Sequence, residues 1–147
     1  MMETERGYPV KKIGFNRYPG GKRKALTFSY DDGIASDRRF VGLLNEYGLK
    51  ATFHLNSGSL GRPGFVEPAE VAGLYAGHEI SAHAVKHPFL DAVPVAHDVR
   101  ELLDDRRELE RLAGYPVRGM SYPYGNCTER LGGPLPPLGL EYRRTLA

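Results

Sequence analysis

Apolar positions along the chain recur with two periods, and the switches between them predict the elements. The run KALTFSY (24–30) reads as a buried strand and stops at Asp31, Asp32 and Gly33. From Ser36 the spacing widens. Phe40, Leu43, Leu44 and Tyr47 form one helical stripe within 36–48, with Ser36 or Asp37 as N-cap and Gly48 as the stop. KATFHLN (50–56) returns to period two and sets Ala51, Phe53 and Leu55 against Thr52 and His54. A glycine-rich loop, SGSLGRPG, leads to a short helix over 66–77 and a third strand, HEISAHA (78–84). The clearest helix spans 96–114, where Val99, Leu102, Leu103, Leu109 and Leu112 share a face. VRGMSYP (117–123) predicts a fourth strand, YGN a turn, and LEYRRTLA (140–147) the start of a fifth. Between the last two, TERLGGPLPPLG holds too much proline and glycine to predict a helix.

Strands alternating with helices predict parallel strands joined by right-handed crossovers, hence an α/β domain over 23–147 behind an N-terminal arm, 1–22. Ligand sites in such folds lie beyond the C-terminal ends of the strands. The polar clusters obey that rule: Asp31 and Asp32 end strand one, His83 and His87 follow strand three, and SYPYG follows strand four. The chain stops on a strand-like segment with no closing helix, so the domain reads as incomplete.

Composition narrows the class. A length of 147 residues, 41% hydrophobic and 26% charged, suits one globular domain with a real core. Twenty basic against eighteen acidic residues leave +2, too balanced to suggest nucleic acid or an anionic membrane as partner. One cysteine, Cys127, excludes an intrachain disulfide, and nothing marks it as a nucleophile. The polar start has no signal-peptide core and no run reaches membrane-spanning length, so the chain as written reads as cytoplasmic. Oligomeric state is not legible.

The candidate chemistry begins with a conflict. Two adjacent carboxylates at a strand end raise one another's pKa and resist burial, so they need a cation, a capping role or solvent. His83 and His87 stand four apart, which on a helical turn would put both imidazoles on one face. Alone, such a pair is more often incidental, and Ala84 occupies the place where a zinc-protease HExxH motif carries its glutamate. With one aspartate, however, two histidines make an ordinary open metal site, and the second aspartate is left as a base. Neighbours in a regular strand face opposite ways, so the backbone must leave strand geometry near Gly33 for both to serve one site. Alternatively the acids only cap the helix near Ser36. The SYPYG turn could aim a backbone N–H at a ligand, and its tyrosines could wall a sugar site.

TFSYDDG, GHEISAHAVKHPFL and SYPYG, in this order, resemble the first three motifs of the polysaccharide deacetylases (the NodB-homology group, carbohydrate esterase family 4). The linking segments YGLKATFHLNSG, DDRRELERLAGYPVRGM and GLEYRRT are similar as well, so the likeness runs from about 23 to 147. It implies a deformed (β/α) barrel, with about five of seven strands present here, and removal of acetyl groups from a carbohydrate. It implies a divalent metal, zinc foremost, with cobalt, nickel or manganese as alternatives. Carried over, Asp31 matches the catalytic base, and Asp32, His83 and His87 match the metal ligands. Tyr124 holds the place whose backbone N–H binds the oxyanion; Pro123 and Gly125 shape that turn, and Tyr122 joins them as substrate-binding.

Three departures accompany the likeness. The third motif commonly opens with an arginine that orients the base; here that place is Ser121, with Arg118 nearby as a candidate substitute. There is no Trp for a fourth motif, and the last histidine, His97, precedes motif three, so no fifth-motif acid is visible. Of the other histidines, His54 is expected packed or at the site edge, and His78 and His97 exposed. A non-catalytic relic that binds metal or sugar, and a structural or partner-binding domain, stand as alternative readings. An unclosed barrel is also expected to be marginally stable, with an exposed strand edge.

Overall fold

The computed structural model describes residues 17–90, 92–126 and 138–146, so Cys127 and most of the proline-rich stretch and N-terminal arm lie outside them. Five strands form one parallel sheet in sequence order: β1 (Phe28–Asp32), β2 (Ala51–Leu55), β3 (Glu79–Ala82), β4 (Gly119–Ser121) and β5 (Tyr142–Arg144). Three helices accompany them: α1 (Asp37–Glu46), α2 (Val71–Leu74) and α3 (Val95–Ala113). The interior strand β2 is buried on both faces apart from half-buried Thr52, as parallel strands covered on both sides are. Ala51, Phe53, Leu55, Ile80, Ala82 and Met120 form the sheet's share of the core. No helix of the described residues is long and apolar enough to cross a membrane.

Strand one lies later than its apolar run suggests. β1 starts at Phe28 and carries both acids, pairing Asp31 with His54 and Asp32 with Leu55. Both acids therefore sit on the sheet rather than after it. The backbone leaves strand geometry at Asp32 (φ 80) and Gly33 (φ 73), so that both acids reach one side. At Gly33 a Cβ would lie 3.1 Å from Leu55, so glycine serves both the conformation and the packing.

Both long helices are rotated relative to their hydrophobic stripes. In α1 the buried residues are Asp37, Val41 and Leu44, while Leu43 and Tyr47 are exposed. The hydroxyl of buried Tyr75 donates to Asp37 Oδ2 at 2.7 Å, which draws the first turn inward. Ser36, the N-cap, makes no side-chain cap hydrogen bond. In α3 the buried positions are Asp98, Glu101, Leu102, Asp105 and Leu109, three of them acids on the face turned to the protein. Gly48 follows α1 in left-handed conformation, as predicted for a stop, and Gly114 caps α3 in the same conformation.

Candidate active site

The site lies beyond the carboxyl ends of β1, β3 and β4, where three separated stretches of chain meet. Among the described residues, four non-glycine residues have positive φ: Asp32, Ala84, His87 and Tyr124. All four belong to this site. Each left-handed residue costs about 1–2 kcal/mol, so the strain persists only because the surroundings hold it.

Those surroundings are hydrogen bonds to the loop after β3. Asn56 Nδ2 donates to the carbonyls of His83 (2.5 Å) and Ala84 (2.9 Å). The His83 N–H donates to Leu55 O at 3.1 Å and to Asp105 Oδ2 at 2.9 Å. Asp105 Oδ1 also accepts from Ser57 N at 2.7 Å, and Glu101 Oε2 from Lys86 N at 2.9 Å. Two of the buried acids of α3, Glu101 and Asp105, thus accept backbone N–H groups from the loops after β2 and β3. Nothing in their spacing marks this, because acids in an amphipathic helix read as its solvent face.

The loop brings His83 and His87 together, with ring centroids 4.7 Å apart. Their spacing is not that of a helical turn, as predicted; the left-handed Ala84 and His87 turn the chain instead. One ligand atom from each of Asp32, His83 and His87 lies within 4.8 Å of the others. Asp32 Oδ1 is 3.7 Å from Nε2 of each histidine. His83 Nδ1 lies 2.9 Å from the Ser121 carbonyl, which places a proton on Nδ1 and leaves the Nε2 lone pair facing Asp32. Burial holds His83 below its ordinary pKa, against the Ser121 bond and the nearby aspartates, so the ring is neutral near pH 7. A carboxylate oxygen and two imidazole nitrogens converging this way fit a divalent cation.

Asp31 faces the same point from the other side. Its Oδ2 is 3.9 Å from His83 Nε2. An arginine on β5 holds it: Arg144 Nη2 donates to both carboxylate oxygens at 2.5 Å. Ser121 Oγ adds a bond to Asp31 Oδ1 at 3.2 Å. Burial alone would raise the Asp31 pKa, but the Arg144 bond and the attraction of His83, Arg144 and His54 bring it below the usual carboxylate range. Arg118 does not take this part; its guanidinium pairs with Glu141 at 3.1 Å on the surface.

After β4, the turn Pro123–Gly125 closes with Gly125 N donating to Tyr122 O (2.8 Å) and Asn126 N to Pro123 O (3.3 Å). These bonds do not use the Tyr124 N–H. The Tyr124 ring is half exposed; it stacks on Phe89 at 3.8 Å and 5°, and meets the His87 ring at 4.4 Å. Phe89, which no motif reading singled out, therefore presents an aromatic surface beside the site. Tyr122 differs from expectation: it is 2% exposed and packs in the core, because the strand's alternation turns it away from the mouth. Pro123 is likewise buried.

The remaining histidines divide. His97 is exposed, as expected. His54 is buried opposite Asp31 with Nε2 2.8 Å from Ser29 Oγ, and desolvation lowers its pKa to about 4. His78 is buried rather than exposed: Nδ1 accepts from Ala51 N at 3.3 Å, and Nε2 lies 3.1 Å from Asn45 Oδ1.

The sequence matches the model of a family described as polysaccharide deacetylase over residues 18–142. A curated relative, the peptidoglycan-N-acetylmuramic acid deacetylase PdaC of Bacillus subtilis (strain 168), is 27% identical over 113 residues, covering 77% of this chain and 24% of that protein. The Streptococcus pyogenes deacetylase PplD in complex with acetate superposes with TM-score 0.78 at 19% identity, over 86% of this chain and 57% of that one. A family 4 carbohydrate esterase from Streptomyces lividans, also in complex with acetate, gives TM-score 0.65 at 20% identity, over 80% of this chain and 60% of the other. The chain thus spans about a quarter of the curated relative's length and a little over half of these solved chains. At such identities the likeness to the solved structures is one of fold. That fold is the one the motifs imply, a curled parallel sheet of the deformed (β/α) barrel type.

Proposed function

The chain belongs to the polysaccharide deacetylase family, and from that premise we propose that it hydrolyses acetyl groups from an N-acetylated carbohydrate. O-acetyl esters of a carbohydrate are the related alternative. The observation that carries the reading is the convergence of Asp32, His83 and His87 within 4.8 Å beside Asp31. Asp32, His83 and His87 would hold a divalent cation, zinc foremost. Bound there, it would acidify a water and polarise the acetyl carbonyl.

Asp31 takes the proton of the attacking water, with Arg144 and Ser121 holding its carboxylate toward the histidines. The Tyr124 N–H donates to the oxygen on which negative charge develops. Tyr124 holds left-handed backbone (φ 59) within the turn Pro123–Gly125. Phe89 and Tyr124 offer a sugar ring an apolar face next to the scissile bond. His54 does not supply the acid for the leaving group, because with a pKa of about 4 it is neutral at pH 7 and buried.

Two measurements test this. Zinc or cobalt titration should give a site whose affinity is lost in an Asp32→Ala, His83→Ala double variant. The metal-loaded chain should release acetate from N-acetylglucosamine oligomers, and Asp31→Asn should abolish that release. Metal binding without acetate release, for N- and O-acetylated glycans alike, would reduce the site to a binding module. Equal metal affinity of native and double variant would remove the metal reading altogether.

A further inference from the structure

We infer that Arg144 is the positioning residue for Asp31, an arginine supplied from β5 in place of the one that the third motif commonly carries at the position of Ser121. The inference rests on Asp31 acting as the base.

Ser121 and Arg144 are partners in the β4–β5 ladder, and the Tyr122 N–H donates to the Arg144 carbonyl at 3.0 Å. Ladder partners in a parallel pair send their side chains to the same face. Both side chains here end on Asp31: the serine Oγ at 3.2 Å from Oδ1, the arginine Nη2 at 2.5 Å from both oxygens. A serine leaves empty the volume that an arginine on β4 would fill, and the long side chain from the next strand occupies it. The short residue gains a second use, since Ser121 Oγ lies 2.7 Å from His83 Nδ1 while its carbonyl lies 2.9 Å from the same atom.

One nitrogen within reach of both carboxylate oxygens adds a charge-assisted contact, and the guanidinium charge is permanent. Arg144 is only partly exposed, so this contact is less screened than a surface pair. The nearest sequence candidate, Arg118, is turned outward to Glu141. Arg144 acts through Asp31 and is not itself a catalytic residue.

The first test needs no turnover. Arg144→Met and Asp31→Ala are combined in a thermal-unfolding cycle on the metal-free chain. Arg144→Met should lower Tm in the native background and by less than half as much beside Asp31→Ala. Additive shifts would overturn the inference. Should the methionine variant fail to fold, Arg144→Lys serves in the same cycle. The second test uses the metal-loaded chain and an acetylated glucosamine oligomer. Arg144→Met should lower kcat by about 100-fold with KM within about threefold, and Ser121→Arg added to it should recover most of the loss. A rise in KM at unchanged kcat would make Arg144 a substrate contact and overturn its positioning role. A native chain without activity would refute the proposed function, and the unfolding cycle would still decide the Arg144–Asp31 contact.

Discussion

Replacing Asp105 with alanine tests whether α3 positions a metal ligand. The side chain is fully buried and accepts two backbone N–H bonds, from Ser57 at 2.7 Å and from His83 at 2.9 Å. Truncation strips the Ser57 donor of this acceptor, while the His83 N–H keeps Leu55 O at 3.1 Å. A buried donor deprived of its acceptor costs about 1–3 kcal/mol, and the weakened His83 bond adds about 1 kcal/mol. The sum is a loss of roughly 2–4 kcal/mol, or a fall in Tm of roughly 5–15 °C at this size. The His83 N–H would then keep only the Leu55 carbonyl as acceptor. Residues that orient a metal ligand typically change metal affinity by about 10–100-fold when lost. Urea unfolding measures the first effect, and competition against a zinc chelator measures the second at a temperature where the variant is folded. Asp105→Asn should lie between, since its carbonyl oxygen still accepts one bond while its amide faces the other donor. A folded Asp105→Ala protein with zinc affinity within about twofold of native would refute the positioning argument, whatever its stability.

Three further outcomes follow from the same geometry. Desolvation raises the Asp37 pKa despite the Tyr75 bond, so the folded state keeps a proton that the unfolded chain releases near its ordinary value of about 4. Stability contributed there is full below that value and falls as pH rises through the raised one; Asp37→Asn should flatten that slope, read from urea midpoints of the metal-free chain, and an unchanged slope would contradict the assignment. Phe89→Ala should raise KM for acetylated oligomers roughly threefold to tenfold, the worth of one aromatic contact, with metal affinity unchanged; an unaltered KM would remove Phe89 from the substrate surface. Gly33→Ala places a Cβ 3.1 Å from Leu55 at φ 73, so stability should fall by about 1–2 kcal/mol, and a variant as stable as native would show that the turn relaxes.

By itself, the sequence determined the order of strands and helices, the α/β class and the three polar clusters, because each is a local pattern. Period two, period 3.6, a glycine stop and a motif of a few residues can all be read within one window. The adjacent acids Asp31 and Asp32, the His83 and His87 pair and the SYPYG turn were legible as candidates for that reason, while the part assigned to Tyr124 came from the family resemblance. Tertiary structure decided what those windows cannot contain. The rotation of α1 follows from Asp37 meeting Tyr75, and that of α3 from three acids turned inward, two of which, Glu101 and Asp105, accept N–H groups of distant loops. In a helix read alone, such acids belong to solvent. His83 and His87 converge through left-handed backbone held by Asn56, Asp105 and Glu101 rather than through helical spacing. Arg144 lies 113 residues from Asp31 and meets it only because β4 and β5 pair in one register. The physical reason is common to these cases. A buried polar group takes whichever partner the fold brings within reach, and that partner is fixed by strand register and helix rotation, not by neighbours in the chain.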